Sequence, residues 1–445
     1  MPLDAVKTIV VLMQENRSFD HMLGYLSLPP WNRADVDGLS NDPAWLARFA
    51  NTNSGRSYSP FRLPNPEAML PGDPNHDRYH IATQIGAPTA AGAYPMTGFV
   101  DSCPTIDPIT GQPMVMGYFN AEDLPTTHFF AQNFAICDKW FSSIPASTQP
   151  NRLMSMAGET TIDNNKDIIP LQKLVYDWLE DRKVRWRVYH DSVPFFALMP
   201  DWIPWILLDH NFRDFSRLFS DIQNESDATF PQVIFIEPRF TDAPHIEVPC
   251  DDHAPSAISP GQAFMSQVYS ALTSNKERWM GTVLVVTYDE HGGFFDHVSP
   301  PTGISTNPPA GSSYASFTSL GARVPGFVVS PLVAPGSVYS GQLDHTSILK
   351  FIADKFSGGE GYSPEVDNRT VGSVSDVLAA VPAAGGPRAD IPSLDSISVG
   401  FSPGTVPAPT DDNLTPMGFS RALGALRSYD KDVAAIKFAK LAGRF

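Results

Sequence analysis

Basic clusters are missing from this sequence. Its 31 Lys and Arg residues are scattered and are outnumbered by 48 Asp and Glu, for a formal net charge of −17. Nucleic acid is bound by neutralising phosphates with Lys and Arg, so no nucleic-acid partner is expected. Simple electrostatic docking on an anionic membrane is disfavoured for the same reason. Cysteine is also scarce: Cys103, Cys137 and Cys250 are odd in number and widely spaced. That pattern is neither a disulfide framework nor a zinc knuckle, and it reads as buried apolar thiols. No apolar stretch reaches the roughly 18 to 20 residues of a membrane span, so no transmembrane segment is expected, only transient contact with a membrane surface. The chain enters its first apolar run at once, without a signal-peptide pattern. The expected location is therefore the cytoplasm, or outside the cell as a mature secreted form.

Proline, in contrast, is plentiful at 42 of 445 residues, well above the usual share of about 5%, which implies long ordered loops. The length suits one large α/β domain with a small appendage. The expected division is 1–375 for the main domain and 376–445 for a Pro/Gly-rich linker and a C-terminal helical segment. Residues 380–412, rich in Pro, Ala, Gly and Ser, form that linker. Apolar runs predict strands at 7–13, 184–189, 232–237, 282–288 and 324–330, with Pro325 disfavouring the start of the last. Helical spacing predicts helices at 18–26, 151–158, 171–182, 261–274, 344–355 and 430–442. Strands alternating with helices predict a mostly parallel central sheet sandwiched by helices.

Two of the strand runs end in polar clusters. Lys7-Thr-Ile-Val-Val-Leu-Met13 is followed by Gln14-Glu15-Asn16, and Thr282-Val-Leu-Val-Val-Thr-Tyr288 by Asp289-Glu290-His291-Gly292-Gly293. In open α/β sheets the carboxyl ends of strands collect ligands and catalytic groups. Glu15, Asn16, Asp289 and Glu290 offer oxygen ligands suited to a divalent metal ion. Ca, Mg and Mn match best, and Zn or Fe are acceptable. Glu15 and Asn16 are equally suited to cap a helix starting near Ser18. One metal site built from opposite ends of the chain points to a hydrolase.

In Ser147-Thr148-Gln149-Pro150-Asn151-Arg152, Pro150 fits the first helical position with Gln149 or Thr148 as cap. A hydroxyl at a helix N-terminus is also placed to meet an anion and, beside a metal, to act as a nucleophile. Histidines stand in polar clusters at Asp77-Arg-Tyr-His80, Tyr189-His190, Asp251-Asp252-His253 and Phe295-Asp296-His297. Such imidazoles can bind phosphate oxygens or protonate a leaving alkoxide.

Read in order, Glu15-Asn-Arg-Ser-Phe-Asp-His21, Ser147-Thr-Gln-Pro-Asn-Arg152 and Asp289-Glu-His-Gly-Gly-Phe-Phe-Asp-His297 resemble the phosphoesterase family. That family unites bacterial and plant non-specific phospholipases C with bacterial acid phosphatases, within the alkaline phosphatase superfamily. Phe134-Ala-Ile-Cys-Asp-Lys-Trp140, Arg323-Val-Pro325 and Asp344-His-Thr-Ser347 extend the resemblance. It implies an alkaline phosphatase-like fold. Glu15, Asn16, Asp289 and Glu290 then match metal ligands, Thr148 the hydroxyl nucleophile, and His80, His190 and His253 histidines around a bound phosphate. Asn151 and His297 are further substrate-binding candidates. The activity it implies is a phospholipase C releasing diacylglycerol and a phospho-headgroup through a phosphothreonine, hence a role in lipid metabolism. The alternative is an acid phosphatase acting on small soluble phosphate esters. Two departures stand out: the twin-arginine leader of some secreted members is absent, and the frequent His-Pro-Pro or His-Pro-Ser pattern reads His253-Ala254-Pro255.

Overall fold

The computed structural model describes residues 2–63, 70–208, 211–243, 248–394 and 415–428. Its central sheet has eight strands: β1 (Thr8–Gln14), β2 (Ala135–Cys137), β3 (Trp186–His190), β4 (Phe212–Asp214), β5 (Val233–Glu237), β6 (Thr282–Tyr288), β7 (Gly326–Val329) and β8 (Val338–Tyr339). Their spatial order is β8-β2-β7-β6-β1-β5-β3-β4. Only β7 runs against the others in this sheet, pairing antiparallel with both β6 and β2. The two longest strands, β1 and β6, lie side by side at the centre and are buried at every position. Their unbroken Val/Ile/Leu character is what a strand covered on both faces requires.

Helices cover the sheet: α1 (Arg78–Ile85), α2 (Pro125–Asn133), α3 (Thr148–Ala157), α4 (Val175–Asp181), α5 (Ser259–Thr273), α6 (Thr346–Phe356) and α7 (Thr415–Ser428). α6 packs on α3, and α5 on α2. The mostly parallel sheet and its flanking helices are those expected. All five expected strands form, and Pro325 lies just outside β7, which begins at Gly326. The expected helix at 151–158 starts earlier, at Thr148, with Ser147 as its cap residue and Pro150 inside the first turn. Proline is tolerated there because the first N–H groups of a helix have no intrahelical partner. The expected helix at 18–26 splits into a short helix, Phe19–Met22, and a 3-10 turn, Gly24–Ser27. The helix expected at 430–442 and most of the 380–412 linker lie outside the described residues.

The three cysteines are free and buried, as their spacing implied. Among the described residues, no helix is long and apolar enough to cross a membrane. Phe195, Phe196 and Trp202 are part of the hydrophobic core. Close to them, α7 returns to the main body: it packs on the Phe195–Leu198 turn, and Phe419 stacks on Phe240 with ring centroids 5.4 Å apart.

Candidate active site

The site begins with a register. β1 and β6 pair in parallel from Thr8↔Thr282 to Gln14↔Tyr288 without a slip, so the residues that follow each strand emerge side by side. The Asp289 N–H donates to the Gln14 carbonyl at 3.1 Å. The Asn16 N–H in turn donates to Asp289 Oδ1 at 3.0 Å. Asn16 turns out of the strand at φ 61°, a left-handed conformation that Asn tolerates better than most residues. Gly292 lies so near that a Cβ on it would sit 2.1 Å from the Asn16 carbonyl oxygen. No other residue fits there. Ser18, rather than Glu15 or Asn16, caps the following helix by accepting from the His21 N–H, which leaves the Asn16 amide to face the site.

Thr148 is the first residue of α3 and is almost fully buried. Its hydroxyl donates to Asn16 Oδ1 at 3.2 Å. Asn16 Nδ2 lies 3.2 Å from His76 Nε2, so the side-chain amide joins the hydroxyl to an imidazole while the backbone N–H of the same residue joins the strand tips. One turn along α3, Arg152 lies on the same face as Thr148. It reaches Glu15 Oε1 at 3.1 Å and approaches Asp289 Oδ2 at 3.6 Å, with its guanidinium over the rings of Phe240 and Phe195. Gln149 fixes the helix start: its Nε2 donates to the Lys166 carbonyl and to Thr415 Oγ1 of α7.

His253 stands between two carboxylates, Nδ1 being 3.3 Å from Glu15 Oε2 and Nε2 3.4 Å from Asp73 Oδ2. Burial disfavours its charged form, but Asp73 and Glu15 overcome that and hold it protonated. Donor atoms of Glu15, Asp251 and His253 converge within 4.8 Å of one another, and so do those of Asp73, His76 and His253. Burial pushes the Asp289 carboxyl up to about 8, reinforced by the negative charge of Glu15. Glu15 itself is held low because Arg152 and His253 outweigh its burial.

Beneath Asp289, His345 Nε2 meets the Asp289 carbonyl at 2.6 Å while its Nδ1 accepts from Trp140 Nε1 at 3.3 Å. Burial drives its pKa down to about 4. It is therefore neutral, with the proton on Nε2, and anchors the tip of β6.

Glu15, Asp289 and Glu290 bring three buried carboxyl groups together, and Arg152 reaches only Glu15 and the edge of Asp289. Asp289 Oδ2 and Glu290 Oε1 are buried with no hydrogen-bond partner. Orphaned acceptor oxygens of this kind are rare because each carries a full desolvation penalty. Together with Glu15 and the Asn16 amide oxygen they form a hard-oxygen donor set that fits a divalent cation.

Of the residues singled out from sequence, the structure brings together Glu15, Asn16, Asp289, Glu290, Thr148 and His253. His80 lies on α1 and pairs with Asp77. His190 ends β3, two strands from β1, and binds the Ser192 carbonyl at 2.6 Å. Neither makes a hydrogen bond or ion pair with Thr148 or the four-oxygen set. Asn151 is turned toward its own loop: its Nδ2 donates to the Ile144, Ala146 and Ser147 carbonyls and its Oδ1 accepts from the Ile144 N–H. It shapes the loop that presents Thr148.

His297 belongs to a second cluster. Its Nδ1 meets Asp20 Oδ2 at 2.7 Å and its Nε2 meets Asp37 Oδ1 at 3.1 Å. Arg323 closes that cluster onto Asp296 at 2.9 Å and Asp20 at 3.1 Å, and donates to the Asp37 and Asp138 carbonyls. Asp73, His76, Arg152 and His345 escaped sequence reasoning. Arg152 carried a local signal in its helical spacing from Thr148, and His345 lies inside the Asp344-His-Thr-Ser347 segment.

The model of the Phosphoesterase family matches residues 6–357. The chain belongs to this family. It is a phosphoric ester hydrolase. It is 33% identical to non-specific phospholipase C3 of Arabidopsis thaliana over 368 residues, spanning 77% of this chain and 68% of the relative. Against the non-hemolytic phospholipase C of Burkholderia pseudomallei it is 31% identical over 418 residues, 82% of this chain and 57% of the relative. Among solved structures, the phosphonate monoester hydrolase of Agrobacterium radiobacter shares 12% identity at a TM-score of 0.35, over 59% of this chain and 73% of that one.

Two outcomes test this site, and two more test the second cluster. Asp289→Asn should lower divalent-metal affinity by about a hundredfold or more, measured by elemental analysis and titration. An acid whose pKa is raised by folding destabilises the fold once it ionises, from its ordinary 3.8 up through about 8. The metal-free Asp289→Asn protein should therefore melt above metal-free wild type, most clearly near pH 8. An equal or lower melting temperature would contradict the buried-charge account.

Arg323→Ala should cost about 3–5 kcal/mol in urea unfolding, because it leaves Asp20 and Asp296 buried without their cation. For His297, Asp20 and Asp37 override the burial penalty and hold its pKa near 9 against an ordinary 6.5. That stabilisation is complete below pH 6.5 and is lost as pH rises through 9. His297→Gln should remove a contribution on the order of 3 kcal/mol at pH 6, and almost none at pH 10.

Proposed function

We propose that the chain is a phospholipase C-type phosphodiesterase that splits phospholipids into diacylglycerol and a phospho-headgroup, with Thr148 as nucleophile. The observation that carries this reading is the Thr148 hydroxyl, held at a helix N-terminus and hydrogen-bonded to Asn16 between the two acidic strand tips. The names of the plant and bacterial relatives, all phospholipases C, support the substrate class.

A divalent cation held by Glu15, Asn16, Asp289 and Glu290 would supply Lewis acidity, lowering the hydroxyl pKa and offsetting phosphoryl charge. The chain's own groups do the rest. Asn16 orients the Thr148 oxygen, and Thr148 opens α3, where the helix dipole favours an anion. Thr148 attacks phosphorus in line, forming the Oγ–P bond as the bond to the glycerol oxygen breaks. His253, protonated between Glu15 and Asp73, gives its proton to that departing oxygen. A water molecule then cleaves the phosphothreonine, releasing the phosphomonoester and restoring the hydroxyl. Positioning and charge neutralisation carry most of such a reaction.

A panel of phosphatidylcholine, phosphatidylethanolamine, sphingomyelin, phosphocholine and p-nitrophenyl phosphate tests the substrate class. Diacylglycerol release with little action on phosphocholine is expected. Turnover confined to the monoesters would replace this reading with a phosphatase. Thr148→Ala should lower kcat by about 10⁴-fold or more on every substrate cleaved. Thr148→Ser, which keeps the hydroxyl, should retain activity. Full turnover by Thr148→Ala would remove the nucleophile assignment.

A further inference from the structure

A second polar cavity opens at the opposite end of the sheet. It has a volume of about 560 Å³ and is built where β1, β3 and β5 begin and α6 ends. Four cationic side chains line it, Lys7, Arg185, Arg278 and Lys355. Such a concentration is notable in a chain of net charge −17, and no part of the reaction described above uses it.

Three of these cations, Arg185, Arg278 and Lys355, are held by backbone or ring contacts, and Arg278 also by an ion pair with Asp227. Arg185 donates from Nε to the Phe230 carbonyl at 2.9 Å and from Nη2 to the Asp227 carbonyl at 3.3 Å. Arg278 lies over the Phe230 ring, 3.9 Å from its centroid, and pairs with Asp227 at 3.1 Å. Its Nη1 is nevertheless buried with no hydrogen-bond partner. Lys355 gives one of its three protons to the Leu3 carbonyl at 3.0 Å. Lys7 is exposed, and its ammonium has no partner among the described residues. Donor capacity is thus left over on several fixed cations around one cavity, in a volume that suits a small molecule. The exposed carboxylate of Glu277 stands in the same wall.

We propose that this cavity binds a small phosphomonoester that also carries an ammonium group. The phosphate dianion complements the excess cationic donors, and the Glu277 carboxylate complements the ammonium. Ligands of this chemistry are the headgroup products of phospholipid hydrolysis, so the headgroup part of the proposal rests on the phospholipase reading.

Calorimetric titration of the full chain with phosphoethanolamine, and separately with inorganic phosphate, tests it. Occupation of the catalytic edge is followed in parallel as competitive inhibition of the hydrolysis of whichever substrate of the panel above is cleaved. Two binding events are expected for phosphoethanolamine, only one of which tracks inhibition. Lys7→Glu and, independently, Arg185→Gln should weaken the other event by about tenfold or more. Turnover and inhibition should stay unchanged in both. Lys7 is exposed, so its substitution keeps the test valid if Arg185→Gln perturbs folding. Phosphoethanolamine should bind at this second site at least about tenfold more tightly than inorganic phosphate.

A single event, or a second event unchanged in Lys7→Glu, would overturn the site. Equal affinity for inorganic phosphate would overturn the assigned ligand class. Absence of diacylglycerol release would count against the phospholipase reading alone, because the calorimetric count does not depend on turnover.

Discussion

Everything chemical in this molecule depends on the parallel pairing of β1 with β6. Seven consecutive residues match without a bulge, and both strands are buried throughout. A slip of one residue would turn each strand's side chains to the other face and separate Asn16 from Asp289. Parallel strands need a crossover between them. Here that connection has grown to most of the chain, and it contains α3 with Thr148. The hydroxyl can therefore be delivered from a different element onto an edge that the register has already set.

The two buried acidic clusters show how a fold distinguishes a clamp from a site. Around Arg323, the carboxylates of Asp20 and Asp296 are met by a guanidinium, and two backbone carbonyls take up its further donors. That cluster is closed and needs nothing from outside. Around Asn16, by contrast, Arg152 reaches only Glu15 and the flank of Asp289, and acceptor oxygens on Asp289 and Glu290 remain unmatched. Burial is equal in the two clusters, but satisfaction is not. Unmet acceptor capacity in a buried pocket is what a cation can use.

The long strands were legible because five or more β-branched or aliphatic residues in a row leave few alternatives. β2, β4 and β8 have only two or three residues each. Such short segments show no period, and their pairing depends on neighbours distant in sequence. The oxygen ligands were legible for a related reason: each pair directly follows a strong strand, so the sheet fixes its place.

The histidines were not legible in that way. His76 and His80 are four residues apart in similarly polar surroundings, yet Asp77 takes His80 while the loop before α1 carries His76 to Asn16. Which imidazole arrives is decided by the path of a long loop, and no local pattern encodes that path. Arg152 shows the intermediate case. Its spacing from Thr148 places it on the right face, but only the structure supplies its partners.

One element touches both ends of the sheet. Helix α6 begins beside His345, which seats the Asp289 carbonyl, and ends in Lys355 and Phe356, which line the opposite cavity. Eleven helical residues span about 16 Å, so a ligand in that cavity stands well clear of Thr148. Direct contact between the two sites is excluded by that length. Helix α6 is buried at most of its positions, with Asp354 exposed and Lys350, Lys355 and Phe356 half-buried. The hydrogen bond between His345 and the Asp289 carbonyl ties the start of α6 to the backbone that follows β6, so the helix that seats the acidic edge also carries the side chains that line the far cavity.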